Sequence, residues 1–312
     1  GDPRAHRTGP RNLISEDKMS TLISPATAFA AGAAFALLPA LLIARRRALL
    51  PAPLRPEILL FGDSITQQSF APGGWGAAVA DAYQRTADVR LRGYSGYNTR
   101  WAIEALPKIF PGKRAAAAPA LVTVLLGAND ANRPAPLKGL AASASRQYVP
   151  LDEYVENLRT IMAAATAAGA PRLLLITPPP LDEAGWHACC VRDYGVPKDA
   201  DPNRSYENTK KYAEAVMRLG KETNTPTLDL HAAFEERADW KACLRDGLHP
   251  NAAGGRLIGE AVLEAIAEYY PELRPSAYGD ADAANKLPMD FPDHKAVDAE
   301  GDYKASFREY LK

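Results

Sequence analysis

The strongest constraint on this fold is the alternation of short apolar runs with longer helical patterns along most of the chain. Each run is nearly continuous in apolar residues, which is typical of parallel strands covered by helices on both faces. The repeated order of strand, helix and strand predicts a doubly wound α/β layer. The predicted strands are 57–61, 88–92, 121–126, 172–177 and 227–230.

Helical periodicity fills the intervals between these strands. The clearest helix start is at residue 151, because Pro150 precedes it and the acidic Asp152 and Glu153 stabilise a first helical turn. Gly169 marks the end of this helix. The predicted helices are 75–86, 98–109, 151–168, 205–223 and 251–270.

The N-terminal part of the chain differs in character from the rest. Residues 21–44 carry no charge and three arginines follow at once, so the segment has the length of a membrane-spanning helix. The arginines favour a membrane anchor with the following domain facing the cytoplasm. The alternatives are a cleaved targeting segment, which leaves the domain cytoplasmic or organellar, and a buried or disordered leader. The sequence thus predicts a polar extension over 1–20, a hydrophobic segment with its arginines over 21–47, and a Pro-rich linker over 48–56.

The charge balance and the cysteine content limit the class of partner. The 312 residues contain 37 Lys and Arg and 37 Asp and Glu, so no basic excess indicates nucleic-acid binding. Three cysteines are too few for a disulfide framework. His187 with Cys189 and Cys190 could contribute to a metal site, but no second Cys/His cluster completes one. We therefore expect reduced thiols, no metal and no cofactor.

Polar segments follow the ends of the predicted strands. In doubly wound sheets, ligands bind at the carboxyl ends of the strands, so these segments should meet at one edge. Another polar segment precedes the last helix. The four segments are 62–64, 92–99, 127–130 and 246–250.

Three residues of these segments form a candidate catalytic triad. The hydroxyl of Ser64 is a weak nucleophile and needs an adjacent base. His249 can be that base, because an imidazole exchanges protons near neutral pH. Asp246, three residues earlier, can hold one imidazole nitrogen and fix the tautomer. Together they indicate acyl transfer.

Acyl transfer also requires hydrogen-bond donors for the oxyanion of the tetrahedral intermediate. The backbone N–H groups of Ser64 and Gly96 and the side-chain amide of Asn129 are the candidates. A side chain at Gly96 would obstruct the approach of substrate. The residues expected to support the surrounding turns are Gly62, Asp63 and Gly127.

Each motif also has a structural interpretation. Ser64 alone is more often a helix cap, and the segments 127–130 and 246–249 alone are ordinary turns or loops. Their joint occurrence beyond strand ends favours catalysis. His231 is a rival base, because Asp229 would share its face if both lay on a strand. We prefer His249, because a base on a loop can swing over the nucleophile, and we expect His231 to make a structural hydrogen bond.

Four sequence blocks, FGDSIT, RGYSGYNT, LLGAND and DGLHP, resemble those of the SGNH/GDSL hydrolase superfamily. The serine, glycine, asparagine and histidine of that name match Ser64, Gly96, Asn129 and His249. RGYSGYNTRWA, QYVPLDEYVENLRTI, ITPPPLDE, WKACLRDGLHP and LPMDFPDH are similar to the isoamyl acetate-hydrolysing esterase branch. The resemblance covers about residues 56–312 and implies a three-layer α/β/α, flavodoxin-like sandwich with a five-stranded, mainly parallel sheet. It also implies serine-dependent ester hydrolysis without a metal.

The remaining predictions concern the walls of the pocket and the bounds of the domain. The stretch 178–203 is long for a connection and is expected to form a lid or a substrate wall. Trp186 in this stretch and Tyr97 beside Gly96 are candidate pocket residues. Asn203-Arg-Ser205 matches the glycosylation acceptor pattern, which matters only in a secreted protein. The hydrolase domain is expected over 57–272, and a surface tail with a short helix near 303–311 is expected over 273–312.

The leading functional hypothesis is hydrolysis of small, acetate-type carboxylic esters. A membrane-associated lipase, lysophospholipase or acyltransferase is the alternative, prompted by the uncharged segment 21–44. A non-catalytic, membrane-tethered binding module is a third hypothesis. It is the weakest, because no expected catalytic residue is missing. The sequence carries no signal for an oligomeric state.

Overall fold

The computed structural model describes residues 55–110, 118–277, 280–297 and 301–308. Its core is one five-stranded sheet, whose strands are β1 (Glu57–Gly62), β2 (Asp88–Gly93), β3 (Leu121–Leu125), β4 (Leu173–Ile176) and β5 (Thr227–Leu228). Their order in the sheet is β2-β1-β3-β4-β5, and every pair of neighbours is parallel. The prediction of an α/β fold with a five-stranded parallel sheet is confirmed.

Helices connect the strands. Those of the described residues are α1 (Ser64–Gln67), α2 (Trp75–Ala82), α3 (Thr99–Ile109), α4 (Leu151–Ala167), α5 (Glu183–Tyr194), α6 (Tyr206–Thr223), α7 (Leu230–Glu235) and α8 (Ala252–Tyr269). All five predicted helices are present. The largest difference among them is in α2, which ends at Ala82 rather than at residue 86. The backbone leaves the helical region there, and Arg85 adopts a φ of +63°.

The two faces of the sheet carry separate layers of apolar side chains, because successive residues of a strand point to opposite faces. Ile58 and Leu60 of β1 belong to the core that α2, α5, α7 and α8 cover. Leu59 and Phe61 belong to the core that α3, α4 and α6 cover. Helices therefore pack on both faces of the sheet, which explains why β1 has no polar residue between Ile58 and Phe61.

The strand register aligns the ends of β1, β2 and β3, so the polar segments that follow these three strands begin side by side at the carboxyl edge of the sheet. Gly62, the last residue of β1, pairs with Gly93 of β2 on one side and with Leu125 of β3 on the other. A Cβ atom at Gly62 would lie 2.4 Å from the carbonyl oxygen of Leu125, so only glycine fits this exit from the strand. The chain leaves β1 towards β2 and leaves β3 towards β4, in opposite directions, and doubly wound sheets bind their ligands at such a point.

Two parts of the second half of the domain differ from the predicted pattern. The stretch 178–203 forms a wall of the cavity beside Ser64, as predicted, but it contains the unpredicted helix α5, which ends at Gly195 with a left-handed φ of +67°. Strand β5 stops at Leu228 instead of continuing to residue 230. Asp229 caps α7 instead, and its side-chain oxygen accepts a hydrogen bond from the N–H of Ala232 at 3.0 Å.

The C-terminal residues contact the domain at the opposite end of the first strands. The carboxylate of Asp290 is nearly buried and lies 2.5 Å from the guanidinium of Arg55 and 3.5 Å from that of Arg85. Arg85 also donates hydrogen bonds to the carbonyl groups of Phe291 and Pro292. The predicted helix near 303–311 is only a short 3₁₀ turn, Ala305–Phe307, in the part described up to residue 308.

The predicted polar extension (1–20) and the hydrophobic segment (21–47) lie outside the described residues. Among the helices that are described, none combines the length and the apolar character that a membrane span requires.

Candidate active site

Ser64, His249 and Asp246 form a continuous hydrogen-bonded chain at the carboxyl edge of the sheet. Ser64 Oγ lies 2.9 Å from Nε2 of His249. On the other side of the ring, Nδ1 of His249 lies 2.8 Å from Oδ2 of Asp246. Serine, imidazole and carboxylate in this order can pass a proton from the hydroxyl to the ring while the carboxylate holds the ring in place.

The turn from Asp246 to His249 is stiffened by its own hydrogen bonds. Oδ1 of Asp246 accepts the backbone N–H groups of Leu248 at 2.9 Å and His249 at 2.7 Å. The N–H of Arg245 donates to the carbonyl of His249 at 2.9 Å and closes the turn. One carboxylate therefore fixes both the backbone of the turn and the imidazole, which is how a spacing of three residues brings an acid and a base together.

The charge state of Asp246 follows from these contacts. Burial raises the pKa of its carboxyl group, but the hydrogen bonds from the ring and backbone of His249 outweigh burial and hold the pKa well below its usual range. Asp246 is therefore an anion at neutral pH.

Ser64 begins the short helix α1 directly after β1. Asp63 caps this helix, and its Oδ1 accepts the N–H of Ile65 at 2.9 Å. Burial raises the pKa of Asp63 to about 6 against the effect of that hydrogen bond. The side chain of Asp63 thus shapes the turn that presents the serine, whereas Asp246 is the residue that contacts Nδ1 of His249.

The predicted oxyanion donors face the same space as Ser64. Gly96 adopts a left-handed φ of +78°, a conformation that favours glycine. Asn129 is almost completely buried, and its Nδ2 donates to the carbonyl of Tyr97 at 2.8 Å, which uses one of its two amide hydrogens. Gly127 precedes it with a φ of +128° and lets the chain turn sharply out of β3.

A cavity of about 330 Å³ opens above these groups and includes Ser64, Gly96, Asn129 and His249 in its wall. Its other walls are formed by Trp186, Cys190, Tyr194, Val196 and Leu248 on the apolar side, and by Ser95, Gln147, Asn203 and Arg204 among the polar residues. The prediction that Trp186 lines the pocket therefore agrees with the structure. Its indole N–H donates to Asn203 at 3.0 Å, and its ring meets His249 at an angle, with centroids 6.2 Å apart.

The prediction that Tyr97 lines the pocket is wrong. Its ring stacks on Tyr94 with centroids 5.2 Å apart and meets Trp101 edge-on. Tyr97 instead contributes its backbone carbonyl, which binds the amide of Asn129. The backbone turns the side chain away from the cavity that begins at Gly96.

The rival histidines lie elsewhere. His231 is buried in α7, where its Nδ1 lies 3.3 Å from the carboxylate of Glu235, and burial lowers its pKa. The alternative pairing with Asp229 on a strand face is wrong, because Asp229 caps α7. His187 contacts the carbonyl of Lys198 at 3.2 Å. No group of three or more metal-binding side chains occurs in the described part of the chain.

Two residues of the site, Arg204 and Gln147, have no counterpart in the sequence predictions. Both line the cavity, and both contact Oδ1 of Asn129, Arg204 at 2.9 Å and Gln147 at 3.2 Å. Neither lies in a block that follows a strand. The sequence signals are indirect: Gln147 is the first residue of the block QYVPLDEYVENLRTI, and Arg204 precedes the capping Ser205 of α6 in a segment that matches the glycosylation pattern.

The comparisons with known proteins agree with this fold and this site. A model of the GDSL-like lipase/acylhydrolase family matches residues 60–257, so the chain belongs to that family. It is accordingly a carboxylic ester hydrolase.

The chain is also similar to individual proteins of this family. The chain is 41% identical over 254 residues to a GDSL esterase/lipase of Arabidopsis thaliana, which covers 81% of this chain and 98% of the relative. It is 40% identical over 210 residues to the isoamyl acetate-hydrolysing esterase 1 homolog of Mus musculus, covering 66% of this chain and 80% of that protein. The resemblance noted in the sequence blocks is confirmed.

Solved structures support the fold. A lipase/acylhydrolase from Enterococcus faecalis matches with a TM-score of 0.52 at 22% identity, covering 71% of this chain and all of that one. A variant of an acetylxylan esterase from Geobacillus stearothermophilus matches with a TM-score of 0.51 at 23% identity, covering 68% of this chain and 94% of that one. At this level of identity the likeness concerns the arrangement of strands and helices.

Proposed function

We propose that this enzyme hydrolyses small carboxylic esters, with Ser64 as nucleophile, His249 as general base and acid, and Asp246 as the residue that orients the imidazole. The observation that carries the proposal is the chain of two hydrogen bonds, 2.9 Å and 2.8 Å, that ends at Ser64 inside the cavity. An isolated serine hydroxyl does not attack esters at neutral pH, and this contact supplies the base it needs.

In the acylation step, Ser64 Oγ forms a bond to the ester carbonyl carbon while Nε2 of His249 takes the hydroxyl proton. The carbonyl oxygen becomes an oxyanion that accepts hydrogen bonds from the N–H groups of Ser64 and Gly96 and from the second amide hydrogen of Asn129. The intermediate collapses, the bond to the alcohol oxygen breaks, and the imidazolium returns its proton to the alcohol.

In the deacylation step, water takes the place of the alcohol. His249 removes a proton from the water, which attacks the acyl-enzyme carbonyl and generates the same oxyanion. Collapse releases the carboxylic acid, and the proton returns to Ser64 Oγ. No group beyond the ester and water is required.

The proposed substrate class rests on the size of the cavity and on the relatives. A volume of about 330 Å³ lies at the lower end of the range typical of small-molecule sites, ~300–1,000 Å³. Several curated relatives are named as isoamyl acetate-hydrolysing esterase homologues. Acetate-type esters of small alcohols fit both observations.

A series of p-nitrophenyl esters from acetate to decanoate tests this substrate class. We expect kcat/KM to be highest for the short acyl groups and to fall by at least ~100-fold at decanoate. Each added methylene contributes about 0.8 kcal/mol of transfer free energy in favour of binding, so a decline shows that the cavity excludes the longer chain. The Ser64→Ala variant gives the background rate for each ester.

The same series distinguishes the proposal from a lipase. Rates that climb with chain length, or that jump when phospholipid vesicles are added, would show a lipase or lysophospholipase instead. Transfer of the acyl group to an added alcohol in preference to water would show an acyltransferase.

A further inference from the structure

A buried arginine lies at the back of the proposed active site without an acidic partner. Arg204 is only 3% exposed, and no carboxylate of the described residues forms a salt bridge with it. Its guanidinium donates instead to neutral oxygens: the carbonyl of Ala128, Oδ1 of Asn129 at 2.9 Å and Oε1 of Gln147 at 2.9 Å. The buried carboxyl groups of Asp63 and Asp130 attract this charge only from beyond contact distance, so a buried guanidinium whose hydrogen-bond acceptors are all neutral calls for a functional explanation.

The contact with Arg204 fixes the orientation of the Asn129 amide. A guanidinium can only donate hydrogen bonds, so the atom of Asn129 that faces it must be the acceptor Oδ1. The Nδ2 group then points to the opposite side, where one hydrogen binds the carbonyl of Tyr97. The second hydrogen is left for the space beside Ser64, which is where an oxyanion donor is required.

A second connection leads from Arg204 to Gly96 through Gln147. Oε1 of Gln147 accepts from Arg204, so its Nε2 faces away and donates to the carbonyl of Gly96 at 2.8 Å. The same Nε2 lies 3.2 Å from Oδ1 of Asn129. One guanidinium therefore orders both candidate oxyanion donors that do not belong to the nucleophile itself.

The shape of the arginine is required for this arrangement. Its planar fork reaches Ala128 on one side and Asn129 with Gln147 on the other, whereas a lysine ammonium is a single point charge. The guanidinium carbon lies over the Trp186 ring, 5.4 Å from its centroid, and this ring forms part of the cavity wall. Burial lowers the pKa of Arg204 to about 10, so the group remains charged at neutral pH.

We propose that Arg204 is a positioning residue of the oxyanion hole, which sets the Asn129 amide directly and the Gly96 turn through Gln147. The charge also polarises the Asn129 amide by withdrawing electron density through Oδ1, which strengthens its N–H groups as donors. This inference rests on the proposed esterase function and concerns a residue that acts through its neighbours.

A double-mutant cycle on kcat tests the role of Arg204. Asn129→Ala alone is expected to lower kcat by ~10²–10³-fold, as removal of an oxyanion donor does. Arg204→Met alone is expected to lower kcat by ~10–100-fold and to leave KM within ~threefold, because the oxyanion exists only in the transition state. In the Asn129→Ala background, the additional cost of Arg204→Met should be at least ~fivefold smaller than in the wild type.

Matched variants control for a merely structural effect. Arg133→Met removes another arginine that donates to the same segment, at the carbonyl of Pro202, and should retain kcat within ~threefold. Arg204→Lys keeps the charge but loses the fork, so its kcat should lie between those of the wild type and Arg204→Met. If Arg204→Met does not fold, Arg204→Lys takes its place in the same cycle, since it keeps the charge and loses the fork that holds Asn129.

The outcomes separate this inference from the proposed function. An equal kcat cost of Arg204→Met in both backgrounds, or a cost confined to KM, would overturn the positioning role. The same conclusion would follow if Arg133→Met lost as much activity as Arg204→Met. Undiminished activity of Ser64→Ala would instead overturn the proposed function, whatever the cycle shows.

Discussion

Replacement of Ser64 by alanine is expected to reduce hydrolysis of p-nitrophenyl acetate by at least ~10⁴-fold, to the level that binding alone can supply. The hydroxyl is the group that lies 2.9 Å from the proposed base inside the cavity, and alanine leaves His249 with no oxygen to deprotonate. Within the described part of the chain, the Ser64 hydroxyl is hydrogen-bonded to His249 and to no residue of the sheet, so the melting temperature should stay close to that of the wild type. Initial rates and a thermal melt of the same preparation measure both quantities.

A second serine, in the 3₁₀ turn Gln68–Phe70 that follows α1, provides the matched control. Ser69 is also buried, and its hydroxyl has no hydrogen-bond partner in the described part of the chain. Ser69→Ala should therefore keep the activity that Ser64→Ala loses. Activity retained by Ser64→Ala, or lost to the same degree by Ser69→Ala, would mean that the serine has no chemical role.

Replacement of Asp246 by asparagine is expected to lower kcat by ~10³–10⁴-fold, through the tautomer of His249. The asparagine Oδ1 can still accept the N–H groups of Leu248 and His249, so the turn should survive. Its Nδ2 would donate to Nδ1 of the ring, which places the ring proton on Nε2 and prevents that nitrogen from accepting the proton of Ser64.

A pH profile shows whether this interpretation is right. The pKa of Asp246 lies well below its usual range, so the aspartate of the wild type stays ionised throughout the profile and its protonation contributes no loss of activity. If Asp246→Asn acted only by changing the charge of the imidazole and not its tautomer, raising the pH would restore the rate of the variant. We expect instead a low rate throughout the range from about pH 6 to pH 9. Asp239→Asn, at an exposed carboxylate, should leave the profile unchanged.

Most of the sheet could be predicted because its strands are buried on both faces. β1 and β3 are apolar almost throughout, which leaves no alternative to a central position in a parallel sheet. β5 was harder to delimit, since the two residues that extend its pattern are Asp229, which caps a helix, and Leu230, the first residue of that helix. Helix α5 was missed because a run of prolines precedes it, although Gly195 was available as an end signal.

The positions of the candidate site residues could be predicted for a similar reason. Residues that follow neighbouring parallel strands must meet at one edge, so Ser64, Gly96 and Asn129 had to lie close together. Side-chain directions could not be predicted in this way, and Tyr97 therefore turned out to face away from the cavity. Arg204 lies in the connection between α5 and α6. Nothing in the local sequence of this connection shows that its side chain reaches Asn129.

Covalent labelling of the folded enzyme with a fluorophosphonate tests the central claim most directly, because the reagent reacts with a serine only when a base activates it. Peptide mapping by mass spectrometry then locates the adduct. We predict one phosphonate per chain on Ser64, no labelling in Ser64→Ala, and strongly slowed labelling in His249→Ala. An enzyme that hydrolyses p-nitrophenyl acetate while Ser64 stays unmodified, or that carries the adduct on another residue, would contradict the account.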